Sequence, residues 1–146
     1  IGEVLHFDGT QLTVIPTTNG NHPVEGFWLP AGSEPWLFAY GHLERWNGSA
    51  WAVYGPELID WFNDAWGSAW NDVWAAGAAG TILHWDGAAW SAQTSNTLVA
   101  LSDIHGAAST DVWAVGANGG IVHYNGTSWS QSASGTTSMP TMAWSR

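Results

Sequence analysis

Residues 111–129 read DVWAVGANGGIVHYNGTSW, two short apolar runs with a tight turn after the second. A near copy, DVWAAGAAGTILHWDGAAW, occupies residues 72–90, an offset of 39. The turn recurs four times, as His6-Phe7-Asp8-Gly9, Arg45-Trp46-Asn47-Gly48, His84-Trp85-Asp86-Gly87 and His123-Tyr124-Asn125-Gly126. Positions 6, 45, 84 and 123 are each 39 apart. A fixed interval of this size marks an array of one supersecondary unit.

Aligned on that period, each unit offers four strand slots. Slot A is 98–106, with equivalents at 57–67, 24–30 and, last, 139–145. Slot B is 112–115, matched by 73–76 and less well by 36–39. Slot C is 121–124, matched by 82–85, 43–46 and 4–7, and slot D is 128–131, matched by 89–92, 50–53 and 11–14. All are of strand length, rich in Val, Ile, Trp and Tyr, and bounded by Gly, Asn, Asp or Ser. No window has a useful helical period.

The Asx-Gly pair between slots C and D predicts a two-residue type I′ hairpin, which needs φ > 0 at both central positions. At Asp86-Gly87 such a turn pairs Trp85 with Ala88 and Leu83 with Trp90. Leu83, Trp85 and Trp90 then share one face, and Ile82, His84 and Ala89 the other. Both faces are largely apolar, so each sheet needs a cover on both sides. Small sheets stacked face to face around an axis meet that need, and four strands in about 40 residues is the size of one blade. The expected fold is an all-β propeller of four-stranded antiparallel blades, one repeat array over residues 1–146.

The chain opens in slot C and stops in slot A. It holds part of one blade, three complete blades and one strand of another. Four full units would need ten more residues, about one slot B. The readings are an imperfect four-bladed ring, a section of a larger propeller, or chains that join as a homo-oligomer to complete a larger ring. Large side chains favour a larger ring. The first two units diverge most: Leu12 stands where Trp51, Trp90 and Trp129 stand, and Glu44 where Leu83 and Val122 stand.

Composition limits the partners. There are 13 Trp, and each buried ring removes roughly 150–250 Å² from water. At about 25 cal/mol/Å² that is roughly 4–6 kcal/mol of gross transfer energy, so most Trp are expected to be structural. There is no Lys, and Arg45 and Arg146 face 12 carboxylates for a net charge of −10. Nucleic acid needs clustered cations and is excluded; an anionic membrane surface is disfavoured for the same reason. No apolar run is long enough to insert in a membrane. Without Cys there is neither disulfide nor thiolate metal site. Low charge with many Gly, Ser, Thr and Asn suits an extracellular or cell-surface protein. A start without Met or a signal-like stretch is expected of a mature product or a segment of something longer.

The pattern Gly-x-Ile-x-His-Tyr-Asn-Gly-x-x-Trp at 119–129, preceded by Asp111-Val-Trp-Ala-Val-Gly, resembles tectonin-type propeller repeats. It is also similar, more distantly, to Trp-rich bacterial repeats grouped with sialidase-like propellers. The resemblance is clear in the last two units, fair in the second and poor in the first. It implies a propeller and, for tectonins, glycan binding on outer surfaces. The sialidase aspartate box separates its Asp and Gly by one residue, whereas Asp86 and Gly87 are adjacent. A sialidase also needs an arginine cluster, and this chain has one internal Arg.

Three chemistries could be carried by side chains of these types. A glycosidase needs two opposed carboxylates, which Asp60, Asp64, Asp72, Asp103 and Asp111 could supply, although most fall at strand ends where they cap turns. No nucleophile elbow is present, so an enzyme is not expected. His6-x-Asp8 and His84-x-Asp86 put imidazole and carboxylate on one strand face, as a metal site would. Arg45 and Asn125 break that pattern, and no metal or cofactor is expected. Sugars stack on indoles and pair with Asp, Asn and His. Slot A supplies Trp28, Trp66, His105 and Trp144 at one strand position, and the turns beyond supply Trp70, Asn71, Asp72 and Asp111. The bland alternative is that Trp66 and its equivalents line a central channel or pack between blades. Trp70 has no aromatic counterpart and is the better candidate for an exposed ring. The expectation is a non-catalytic, lectin-like module binding glycans or glycoconjugates. The alternative is a protein-interaction or self-assembling scaffold without a small ligand.

Overall fold

The strand slots become strands. The structure, a computed structural model, describes residues 3–7, 9–18, 23–30, 34–39, 42–54 and 62–135. Sheet 1 is the hairpin of β1 (Glu3–Phe7) and β2 (Leu12–Pro16). Sheet 2 comprises β3 (Val24–Trp28), β4 (Trp36–Ala39), β5 (His42–Trp46) and β6 (Trp51–Tyr54). Sheet 3 comprises β7 (Phe62–Ala69), β8 (Asp72–Gly77), β9 (Ile82–Trp85) and β10 (Trp90–Gln93). Sheet 4 comprises β11 (Leu101–Ala108), β12 (Asp111–Gly116), β13 (Ile121–Tyr124) and β14 (Trp129–Ser132). Sheets 2, 3 and 4 are antiparallel meanders in chain order. The final slot A, 139–145, lies outside the described residues.

The hairpin turn differs from the expected type I′. Trp85 pairs with Trp90 and Leu83 with Ala92, so four residues, 86–89, form the loop. Gly87 takes φ +95°, but Asp86 is not left-handed. Instead its Oδ1 accepts from the N–H groups of Ala88 and Ala89, both at 2.9 Å. Asn47 and Asn125 do the same in their own turns. The Asx side chain therefore acts as a cap, and only Gly supplies φ > 0. The register moved by two residues, which preserves parity: Leu83, Trp85 and Trp90 still share a face.

Both faces of the inner sheets are covered. Leu37, Ala39 and Trp51 of sheet 2 pack with Val4 and Ile15 of sheet 1. The opposite face of sheet 2, with Trp36, Phe38 and Leu43, meets Val73, Ala75 and Trp85 of sheet 3. Trp74, Ala76 and Ile82 on the other side of sheet 3 meet Val112, Val122 and Trp129 of sheet 4. Between sheets the closest association is among the first strands β3, β7 and β11. The sheets thus fan outward from one edge, as in a propeller. Glu44, fully buried in the layer facing sheet 1, accepts from the N–H and hydroxyl of Thr18 just beyond β2. A carboxylate at an apolar position is tolerated because both donors are supplied across the layer.

The β8–β9 and β12–β13 links are one-turn 3₁₀ segments, Ala78–Gly80 and Ala117–Gly119. Their central residues, Ala79 (φ 52°) and Asn118 (φ 54°), are left-handed. Alanine in that region costs about 1 kcal/mol, whereas Asn tolerates it. Ala79→Asn is therefore expected to raise stability by roughly 0.5–1 kcal/mol in urea unfolding. No change would mean that the turn relaxes without strain.

Candidate functional site

At the turn end of each later sheet a histidine is held by an aspartate and a tryptophan. His84 Nε2 donates to Asp72 Oδ1 at 2.7 Å while the ring stacks on Trp74, centroids 4.0 Å apart. Ser68 donates its hydroxyl to the other oxygen of Asp72. In sheet 4, His123 donates to Asp111 at 2.7 Å and stacks on Trp113 at 3.9 Å. In sheet 2, Arg45 lies over Trp36, 5.7 Å from the ring centroid. Burial raises the Asp72 carboxyl, but the bonds from His84 and Ser68 outweigh it and hold it below its ordinary value. Asp72 and Asp111 are thus bound within their own sheets. The metal pairing is not formed either: His84 turns to Asp72, Asp86 caps its own loop, and Asp8 lies outside the described residues.

Trp70 is 44% exposed, and its ring and Asn71 lie against Gly87 of the neighbouring turn. Trp70 and Asn71 therefore form an outer shelf, with Asp72 turned inward beneath it.

The other candidates gather on the first strands. Trp28 pairs with Trp36, Trp66 with Trp74 and His105 with Trp113, so Trp28, Trp66 and His105 hold equivalent places. The rings form a staircase. The indole nitrogen of Trp28 lies over Gly67 of the next sheet, and the far edge of Trp66 over Gly106 of the one after. A Cβ at Gly106 would stand 2.5 Å from the Trp66 ring, so that step requires glycine. Trp66 also meets His105, centroids 5.6 Å apart. Trp28 is buried against Trp36, while Trp66 and His105 are half-buried. Trp144 lies outside the described residues.

Beside these rings sits a carboxyl pair. Asp64 on β7 and Asp103 on β11 hydrogen-bond each other, and Asp64 Oδ2 accepts from the N–H of Ile104 at 3.0 Å. Its Oδ1 faces Gly26 of β3, where a side chain would crowd it. Asn63 Nδ2 donates to the Leu101 carbonyl at 2.6 Å, a second tie between the same two strands. Burial is the main cause that pushes the Asp64 carboxyl up to about 7; the Ile104 bond opposes it and Asp103 adds to it. Mutually bonded carboxyls are closer than the roughly 5 Å of a retaining glycosidase, so no sugar ring fits between them.

Phe27, Trp28, Leu29, Asp64, Trp66, Asp103 and His105 line a concavity of about 590 Å³ along the first strands. Phe27 and Leu29 stand exposed at its edge. It unites three expected site residues, Trp28, Trp66 and His105, and leaves Trp70, Asn71, Asp72 and Asp111 at the turns. Sequence reasoning missed Phe27 and Leu29, and weighed Asp64 and Asp103 only as catalysts. The signal was their place, two residues before Trp66 and His105 respectively.

No protein-family model and no curated protein sequence matches this chain. Solved structures share its fold, two of YCF48 among them. YCF48 bound to D1 peptide aligns at TM-score 0.66 and 14% identity, covering 84% of this chain and 43% of that one. YCF48 from Cyanidioschyzon merolae aligns at TM-score 0.67 and 9% identity, covering 90% of this chain and 50% of that one. The chain thus spans half or less of these neighbours' length. It is a Trp-rich, partial β-propeller of tandem blades.

Two of the shifted carboxyls, Asp64 and Asp72, give stability opposite slopes in different pH windows. Asp64 keeps its proton in the fold up to about 7 but loses it near 3.8 when unfolded. Between those values the folded chain holds the extra proton, so stability falls as pH rises. Asp72, being depressed, contributes stability above its unfolded value that is lost as pH falls through its folded one. Melting temperature is expected to drop by several degrees from pH 4 to pH 7, and Asp64→Asn should flatten that limb. Asp72→Asn should flatten only the acid limb; thermal melts across the pH range check both.

Proposed function

We propose that this chain is a non-catalytic protein-interaction propeller whose first-strand surface holds an extended peptide segment bearing a cationic side chain. The observation that carries this reading is the concavity that sets exposed Phe27 and Leu29, and the half-buried rings of Trp66 and His105, around Asp64 and Asp103. Aromatic walls take the methylene stem and face of a Lys or Arg, and the carboxylates take its head. A chain of net charge −10 also steers a basic segment toward itself. A propeller neighbour whose structure is described as bound to a peptide supports the same class of partner.

Glycan binding is the second reading, favoured by the exposed Trp70 ring beside Asn71 and by the tectonin-like turn pattern. Its acid is already engaged, since Asp72 binds His84 and Ser68. An extracellular or cell-surface location fits either reading through the composition alone.

A peptide array with Lys- and Arg-containing, acidic and neutral sequences, run beside a glycan array, separates the two. Binding of basic peptides is expected to weaken at least tenfold in Phe27→Ser, with unchanged melting behaviour, and in Asp103→Asn, and to persist in Trp70→Ala. A cation beside Asp64 favours its ionised form, so affinity should strengthen as pH rises through about 7. Glycan binding that disappears in Trp70→Ala, with no peptide bound, would overturn the peptide reading.

A further inference from the structure

Asp64 and Trp66 lie two residues apart on β7 and so share a face. They belong to sheet 3, which has a sheet packed on each side, and Trp66 enters the layer shared with sheet 4. What remains of their exposure opens on the concavity that both residues line. The indole is fixed in place: its far edge rests on Gly106, and its ring meets the imidazole of His105 at 5.6 Å. An indole paired with a flat nitrogen group recurs through the chain, as Arg45 over Trp36, His84 on Trp74 and His123 on Trp113. The carboxyls beside Trp66 are held as firmly. Asp64 accepts from the N–H groups of Ile104 and Ala65, and its bond with Asp103 needs one proton between the two. The pair then carries a single negative charge and sets oxygens from two strands side by side.

Given the cationic-peptide reading, on which this rests, we infer that the side chain selected is arginine rather than lysine, and that Trp66 sets the preference. A guanidinium is flat and delocalised, stacks on an indole, and presents parallel N–H donors to neighbouring carboxyl oxygens. An ammonium is a compact, strongly hydrated point charge. A fixed flat ring beside two adjacent carboxyls matches the guanidinium on both counts. Half-burial of Asp64 and Trp66 widens the difference, because the ammonium gives up more hydration on entering. One negative charge balances one guanidinium, so a single arginine is expected at this site.

Peptides of one uncharged scaffold with Arg, Lys, citrulline or norleucine at the centre, titrated to millimolar concentration by isothermal calorimetry at fixed pH and salt, test this. Arg is expected to bind at least about tenfold tighter than Lys, with citrulline and norleucine near the limit of detection. Trp66→Leu, which keeps an apolar group over Gly106, should bring Arg down to the Lys value and leave Lys little changed, with an unaltered far-UV spectrum. Where that variant does not fold, Trp66→Phe carries the test, since its smaller ring should keep only part of the preference. Lys bound as tightly as Arg, or tighter, would overturn the arginine assignment and leave the cationic-peptide reading standing. Binding of neither would end that reading and the arginine assignment with it. A folded Trp66→Leu or Trp66→Phe that keeps the full preference would overturn the role of Trp66.

Discussion

A sheet with apolar side chains on both faces cannot stand in water alone, and the structure depends on that constraint. Trp74 faces one way from sheet 3 and Trp85 the other, and each is almost wholly buried. Neither ring could be buried by folding sheet 3 back on itself, because strands of one sheet cover edges and not faces. The only cover of matching shape is another sheet of the same kind, so the blades stack. Stability is carried by the layers between sheets, where Tyr54 meets Trp85 and Trp74 meets Trp129 edge to face.

Stacking large rings raises a geometric problem at the inner edge, where the first strands crowd together. The chain solves it with small residues opposite large ones. Gly67 takes the Trp28 indole, Gly106 takes Trp66, and Gly26 takes the Asp64 carboxyl. Each substitution of nothing for a side chain lets the next strand approach. The polar ties that remain there, from Asn63 to the Leu101 carbonyl and from Ile104 to Asp64, run between sheets and fix their angle. The same crowding that orders these strands buries Asp64 and raises its proton affinity, so packing and electrostatics at the concavity have one cause.

At the outer turns a different rule holds. His84 and His123 recur because the first position of each Asx-Gly turn lies across from the slot B Trp, and a flat or cationic group can rest on that ring. Arg45 fills the same place over Trp36, which explains a substitution that no metal or capping role accommodates. Asp72 and Asp111 then serve as acceptors for the histidines rather than as ligands. Their repetition in two blades reads as architecture, whereas Trp70, present in one, does not.

The period of 39 residues, the four slots, and the division of each sheet into two apolar faces were all legible in the chain, because alternation and turn chemistry are local properties. Even the misassigned hairpin kept its faces, since a two-residue slip leaves parity intact. What the order of residues could not disclose was which slot A side chains look into open space. Trp28 and Trp66 occupy equivalent positions, yet one is sealed and the other half-open, because burial depends on neighbours a whole blade away. The meeting of Asp64 with Asp103 is of the same kind. Separate strands 39 residues apart are brought within hydrogen-bond reach only by the angle between sheets, and that angle belongs to the packed layers as a whole.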